Sequence, residues 1–494
     1  MEMTSFSFLL YFVPVMLVVY FLLGRFRTAQ NAWLSLCGLG FYLLNGIWCA
    51  IVFVFFAGFN YLVGFWFNGY ISKSAQEGRT MRRSKRQYMS ALRRIMVFSV
   101  FVNLLPLLGF VYLPAMAGSM SGWFDLALPD FPAAPLGVAI LTLQGISYTV
   151  DIYRGRAQWN PRIADTFVYF SFFPTLFAGP IIKFREVAGQ ITDRRVTLEK
   201  VAEGFCRFVV GLAKICIIAR PLMSLSDIIT DRSNLSALYA SAPVSLMLLG
   251  LAAAMIGMYH FFTGFSEIAI GMGKILGFAY PENFKHPQLA ATVTGFWKRC
   301  YISLTAWFDE YVYDPLDQGR KNSDRMVLYM LIMWLLLGLW IGPGLPHLIF
   351  GFWNFVFILV ERIVEVRSEK SKNPLRHLYV IVVLIVSVIA LNTSGTYQFT
   401  LYISNLLGMK SYGFRSDFAL YLLKENWIVL LLGLICSFPL ATKIKGWAEK
   451  SKFFGFVYAV FYPLVMLALA AVTVLKLSGN NYDFVQQMNT LLWS

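Results

Sequence analysis

Long apolar runs recur from one end of this chain to the other, and they leave few ways for it to fold. Residues 6–23, 47–67, 95–116, 201–219, 243–262, 326–341, 378–391, 427–441 and 454–475 are each dominated by hydrophobic side chains. Many approach the roughly 20 residues that carry a helix across a bilayer. In hydrocarbon every backbone amide needs a partner inside the protein, which only helices and closed barrels provide. The runs are continuous and lack the apolar–polar alternation of barrel strands. The chain therefore reads as an all-α polytopic membrane protein. Composition agrees: 58% of residues are hydrophobic and 14% charged, against about 45–50% and about 25% in an average soluble domain.

The net charge of +16 would in another chain raise nucleic acid as a partner. Here the basic residues gather in the loops between apolar runs, as the positive-inside rule requires. Residues 73–94 hold Lys73, Arg79, Arg82, Arg83, Lys85, Arg86, Arg93 and Arg94 against Glu77 alone, whereas 117–135 has no Lys or Arg and contains Asp125 and Asp130. Other basic groups are Arg154, Arg156 and Arg162, then Arg367, Lys370, Lys372 and Arg376, then Lys443, Lys445, Lys450 and Lys452. The charges alternate consistently. They predict 73–94, 362–376 and 443–452 inside, with 117–135, most of 392–424 and both termini outside. Nucleic acid is excluded as a partner, and membrane lipid is implied.

The first apolar run lacks the basic start and small-residue cleavage site of a secretory leader, so it reads as a retained anchor. Cysteines stand at 37, 49, 206, 216, 300 and 436 with no C-x-x-C pair. That spacing supports neither a metal site nor a disulfide framework. Asn45-Gly46 predicts a tight turn between two helices. Residues 73–95 read as a basic amphipathic helix on the inner membrane face, and 196–207 as charged enough to lie at the interface. Pro129, Pro132 and Pro135 stiffen an outer loop. The run 172–182 is apolar but broken by Pro174 and Pro180. It suits a re-entrant segment, which is tolerated only where protein buries its backbone. No repeat and no low-complexity linker divides the chain, so a single domain over 1–494 is expected.

The chemistry-bearing stretch is 259–353. It runs Tyr259-His260-Phe261-Phe262-Thr263-Gly264-Phe265-Ser266-Glu267, then Pro281-Glu282-Asn283-Phe284, then Phe296-Trp297-Lys298-Arg299-Cys300-Tyr301-Ile302-Ser303-Leu304, and ends in Gly338-Leu339-Trp340-Ile341-Gly342. Upstream stand Pro135-Leu136-Gly137, Ser147 to Gly155 with Gln144, Phe172-Phe173-Pro174, Ala178-Gly179-Pro180-Ile181, Gln190 and Gly211-Leu212-Ala213-Lys214. This ordered frame, over about 135–355, resembles the membrane-bound O-acyltransferase (MBOAT) superfamily. The alginate-acetylating branch is the nearest, and the teichoic-acid D-alanyl-transfer proteins come next. The resemblance implies ten or more membrane helices with re-entrant segments around a central tunnel, in a bacterial cytoplasmic membrane. It implies transfer of an acyl group, acetyl at family level, to a cell-envelope or extracellular polysaccharide, or an essential part in that transfer. It also implies partner proteins of polysaccharide modification, including a secreted or periplasmic acyltransferase. No bound cofactor is expected, and the acyl donor would be acyl-CoA or an acyl-carrier protein.

Several positions depart from the pattern, two of them where the family carries its chemistry. The branch carries histidine where this chain has Tyr301, and its principal catalytic histidine where this chain has Ile341; a further family histidine aligns with Asn354. Glu267 stands where the family has aspartate. The resemblance places Glu267, Asn283, Trp297, Arg299, Ser303, Trp307, Tyr311 and Trp340 along the tunnel. Acyl transfer to a hydroxyl needs a base with pKa near neutral, which histidine at about 6.5 supplies and tyrosine at about 10 does not. Isoleucine carries no proton at all. Tyr301 is then either a hydrogen-bond donor or a packed ring beside Trp297. His347, six residues after Ile341, is a displaced base if the Gly342-Pro343-Gly344 break swings it back, or else an interface residue. His260 is a functional intramembrane group or a hydrogen-bonded core residue. His286 and His377 read as loop residues, and Cys300 as a packed thiol or a nucleophile. Loss of both histidines also fits a catalytically inactive relative that serves as scaffold, channel or lipid binder.

Overall fold

The computed structural model describes residues 7–77, 82–124, 132, 134–230, 242–317, 325–364, 373–393, 395–410 and 413–479. Both termini, Asp125, Pro129, Asp130 and the basic residues Arg367, Lys370 and Lys372 lie outside the described residues. Among those described, every regular element is a helix. Eight helices are long and apolar enough to cross a membrane: Ile47–Ile71, Tyr88–Gly118, Leu198–Thr230, Val244–Ile275, Leu345–Ile363, Pro374–Leu391, Asp417–Ser437 and Lys452–Ser478. Two shorter apolar helices, Phe8–Leu22 and Met326–Ile341, accompany them. The chain is an all-α polytopic membrane protein.

The contacts group the chain into two units. The first is Met1–Gly204 with Met272–Pro281, and the second Phe205–Gly271 with Glu282–Ser494. In the first unit the helix Val138–Tyr153 is the core, with every residue from Val138 to Ile152 buried. Its neighbours meet it, and each other, through small polar pairs. Ser99 Oγ lies 2.7 Å from Thr149 Oγ1, and the Asn60 and Asn103 amides bond reciprocally at 2.8 and 3.1 Å. Interhelical hydrogen bonds of this kind hold helices together where lipid removes the hydrophobic drive. Asn45 and Gly46 turn the chain between helices Arg27–Leu44 and Ile47–Glu77, with Gly46 at φ +131.

The broken run 172–182 is non-helical apart from a single turn at Phe173–Thr175, and it is buried throughout. Its backbone finds partners in the protein: the Tyr169 hydroxyl donates to the Ile182 carbonyl at 2.9 Å. Among the described residues the basic stretch 73–95 is shared between two helices. That stretch ends one long helix at Glu77 and opens the next, Arg82–Leu107. The basic turns from Arg82 continue into the apolar turns of 95–107 as one helix. Likewise 196–207 opens the Leu198–Thr230 helix, whose 33 residues exceed the roughly 20 a bilayer needs.

Tyr20 ties the first helix to the chain at a distance in sequence. The Tyr20 hydroxyl donates to the Leu276 carbonyl at 2.6 Å and accepts from Arg194 Nε at 3.0 Å. Arg194 is 4% exposed and lies over the Tyr20 and Phe278 rings. Burial without a carboxylate holds its guanidinium below its ordinary pKa.

In the second unit glycine sets the closest approaches. A Cβ on Gly211 would stand 2.6 Å from the Gly264 carbonyl oxygen, and one on Gly264 would stand 2.9 Å from that of Gly211. Met326–Ile341 and Leu345–Ile363 form a hairpin in which Gly338 meets the His347 carbonyl and Gly351 meets the Trp334 carbonyl. Small residues let membrane helices pack backbone to backbone.

Candidate functional site

Asn283 organises the loop that follows Pro281. It is 1% exposed, and its side chain donates to Ser266 Oγ at 3.0 Å. Its Oδ1 accepts from the Ser303 hydroxyl at 2.8 Å and the Ser303 amide at 3.1 Å. Its carbonyl accepts from the Ile302 amide at 2.9 Å. One amide therefore pins three motif segments. The bonds also hold the turn before helix Ile302–Phe308, where Tyr301 adopts φ +49. A bulky side chain in that region is strained and persists only where its surroundings determine it.

The Tyr301 ring stacks on Phe284 at 5.9 Å and tilts against Phe262 at 5.9 Å. Burial raises its phenol above the ordinary value, which removes it further from the range of a general base. Burial also pushes the Cys300 thiol up to about 12, which disfavours the thiolate that a nucleophile needs.

Trp297 ends the short helix Val293–Trp297 and fits between the hairpin helices. Its ring meets Trp334 and Phe350, each at 5.6 Å, and its Nε1 donates to Asn354 Oδ1 at 2.8 Å. Asn354, fully buried, donates in turn to Ser387 Oγ at 3.0 Å. Glu361 caps the same short helix: its carboxylate accepts from the Val293 and Thr294 amides and from the Thr294 hydroxyl, at 2.5, 2.9 and 2.7 Å. An acid at a helix N-terminus satisfies orphan amides and suits the helix dipole.

Glu267 does not stand alone. Arg207 Nε reaches it at 2.6 Å and Lys214 Nζ at 3.6 Å. Arg207 also holds Glu282 through two bonds of 2.5 and 2.7 Å. The retained acid thus belongs to an ion-pair cluster, which accounts for a carboxylate beside a membrane helix. Arg299 is half-buried, and among the described residues its guanidinium has no partner. Trp307 stacks on Tyr311 at 5.0 Å, and Trp340 meets Phe308 at 6.5 Å.

His347 is the distinctive group. The 342–346 turn brings it back onto the end of the preceding helix: a Cβ on Gly342 would stand 2.5–2.8 Å from three atoms of its ring. It is 2% exposed. The Gly344 carbonyl lies near the ring, yet neither ring nitrogen makes a hydrogen bond of normal geometry. Buried polar atoms are almost always bonded, and an unpaired imidazole can accept and deliver a proton.

The other histidines take the quieter readings. His260 Nε2 donates to the Gly433 carbonyl at 2.8 Å, and His377 Nδ1 bonds the Ala290 carbonyl at 3.0 Å. His286 precedes a 3-10 turn at φ +49. Sequence reasoning missed Glu361, Ser387 and Arg207, whose partners lie 33 to 75 positions away. A buried acid in an apolar run was the one available signal for Glu361.

A sequence model described as MBOAT, membrane-bound O-acyltransferase family, matches residues 136–403. The probable alginate O-acetylase AlgI of Pseudomonas aeruginosa is 30% identical over 387 residues, covering 76% of this chain and 69% of that protein. The peptidoglycan O-acetyltransferase of Helicobacter pylori is 26% identical, covering 48% of this chain and 49% of its own length. The teichoic acid D-alanyltransferase of Bacillus subtilis is 24% identical, covering 53% of this chain and 71% of its own.

Proposed function

The chain belongs to the membrane-bound O-acyltransferase family, and from that premise we propose that it esterifies a hydroxyl of a cell-envelope polysaccharide with an acyl group. Acetyl is the group best supported, since relatives are named for O-acetylation of alginate and of peptidoglycan. The donor is a cytoplasmic thioester, acyl-CoA or an acyl-carrier protein. The acceptor is presented on the outer side, where a secreted or periplasmic partner acyltransferase works with it.

One observation carries this reading: the buried, unpaired imidazole of His347, folded onto the end of the helix that holds Ile341. In the reaction the hydroxyl oxygen attacks the acyl carbonyl carbon. The new C–O bond forms as the C–S bond of the thioester breaks. His347 takes the hydroxyl proton and returns it to the departing thiolate. Arg299 and the Asn283–Ser303 pair stand along the acyl path, and the Trp297–Asn354 bond holds the hairpin that carries His347.

The O-acetyl content of extracted envelope polysaccharide tests the activity. It should fall to background in cells lacking the protein and return with the wild-type chain; unchanged acetylation in the deletion strain would refute the reading. Orientation is tested separately with a membrane-impermeant maleimide on a background freed of native cysteines. Ser478→Cys should label in intact cells and Ser84→Cys only after lysis. Labelling of Ser84→Cys in intact cells would invert the assigned topology.

A further inference from the structure

The loop 154–162 and the helices Ile163–Ser171 and Phe184–Thr192 enclose a cavity of about 800 Å³ in the first unit. Nothing in the chemistry above uses it. Arg156, Arg162 and Arg185 stand on its wall. The carboxylate among the lining residues, Asp165, is already engaged, accepting from Asn31 at 2.6 Å and from Asn160 at 2.7 Å. With three arginines against one carboxylate among the lining residues, the wall carries net positive charge.

Its floor is polar and unsatisfied. Thr166 is 1% exposed, and its Oγ1 has no hydrogen-bond partner; the same is true of Trp159 Nε1. The Tyr148 hydroxyl approaches Thr166 without reaching hydrogen-bond geometry. A Cβ on Gly64 would collide with both the Tyr148 hydroxyl and the Trp159 ring, so these atoms gather around one point. Buried donors left open beside a positive wall call for an anion with several acceptor oxygens.

Aromatic rings gather at the edge of the cavity. Trp159 packs on Tyr61 and Phe65, each at 5.7 Å, and the Tyr61 hydroxyl donates to the Pro161 carbonyl at 2.8 Å. Phe65 and Trp66 are exposed on the same helix. Aromatic rings of this kind mark the membrane interface. The loop carries Arg154, Arg156 and Arg162, which the charge rule assigns to the cytoplasmic side, and basic pockets between helices there bind anionic headgroups.

We propose that this cavity seats the phosphate of an anionic phospholipid from the cytoplasmic leaflet. Arg156 and Arg162 meet its charge, since the guanidinium fork matches phosphate oxygens. Thr166 Oγ1 and Trp159 Nε1 donate to the remaining oxygens. The site is distinct from the acyl-transfer chemistry and stands or falls without it.

The test is native mass spectrometry of the full chain in detergent, with phosphatidylglycerol or phosphatidylcholine added. Wild type should retain phosphatidylglycerol after the micelle is stripped and lose phosphatidylcholine. R156Q/R162Q should weaken retention about ten-fold or more, while R93Q/R94Q, at two exposed arginines of another helix, should leave it unchanged. Equal retention by wild type and R156Q/R162Q overturns the proposal, as does equal retention of the two lipids. If R156Q/R162Q fails to fold, R156K/R162K and Thr166→Val replace it: the first should keep the lipid and the second lose it, and the reverse order overturns the proposal. Glycerol 3-phosphate is the soluble probe. Binding to delipidated protein as tightly as phosphatidylglycerol would assign the phosphate to a soluble ester and overturn the lipid source.

Discussion

His347→Ala should lower O-acetyl transfer to the envelope polymer by about 10²–10⁴-fold, the usual contribution of a general base. The expectation rests on chemistry and geometry together. Tyr301 stacks on Phe284 with its phenol raised by burial, so it holds its proton too tightly to act as a base. Ile341 has none to exchange. His260 spends Nε2 on the Gly433 carbonyl. His347 keeps both ring nitrogens open. His347→Gln, which can hydrogen-bond but not cycle a proton, should fail equally, and its amount in the membrane separates lost chemistry from lost folding. Tyr301→Phe keeps the ring stack and should retain activity to within about ten-fold, the loss of one hydrogen bond to the acyl carbonyl. Full activity in both His347→Ala and Tyr301→Phe would remove the displaced base. Activity that appears only in Ile341→His would favour a chain that has lost catalysis and serves as a scaffold.

Gly351→Leu should destabilise the purified protein far more than any surface change, by about 3 kcal/mol or more. A side chain there points into the Trp334 carbonyl, which is backbone and cannot turn aside. The hairpin would have to open, and the opening would move Phe350 and Asn354 off Trp297. Gly351→Ala should act in the same direction with a smaller effect. Gly58→Ala is the contrast, because a Cβ at Gly58 meets nothing within 4 Å. It should be neutral or stabilising by up to about 1 kcal/mol, the helix-propensity difference. Thermal unfolding in detergent reads both. Equal midpoints for Gly351→Leu and Gly58→Ala would show that the hairpin does not depend on its glycines.

Local features were legible in the sequence because their causes are local. Apolar run length fixed where helices lie, Asn45-Gly46 marked a turn, and Pro174 and Pro180 marked an irregular buried segment. The Gly342-Pro343-Gly344 break carried the idea that His347 could turn back, and its ring does pack on Gly342. Long-range pairing was not legible. Nothing near Glu361 announces that it caps Val293 and Thr294, and nothing near Glu267 announces Arg207. Such partners are chosen by how helices pack, and an apolar run reveals its length but not its neighbours. The helical character of 73–95 was legible too, but not that its described residues belong to the ends of two long helices.

Tyr20 bears on how such a protein is handled at the bench. Placed where a leader peptide would stand, the first helix invites replacement by a foreign secretion leader or removal by a protease site. Yet it supplies both the hydroxyl and one of the aromatic faces that accommodate Arg194. Cutting after Gly24 would take the Tyr20 hydroxyl and ring away from a buried guanidinium, a fault of about 1.5–3 kcal/mol for a lost hydrogen bond to a charged group. An affinity tag belongs at the other end of the chain.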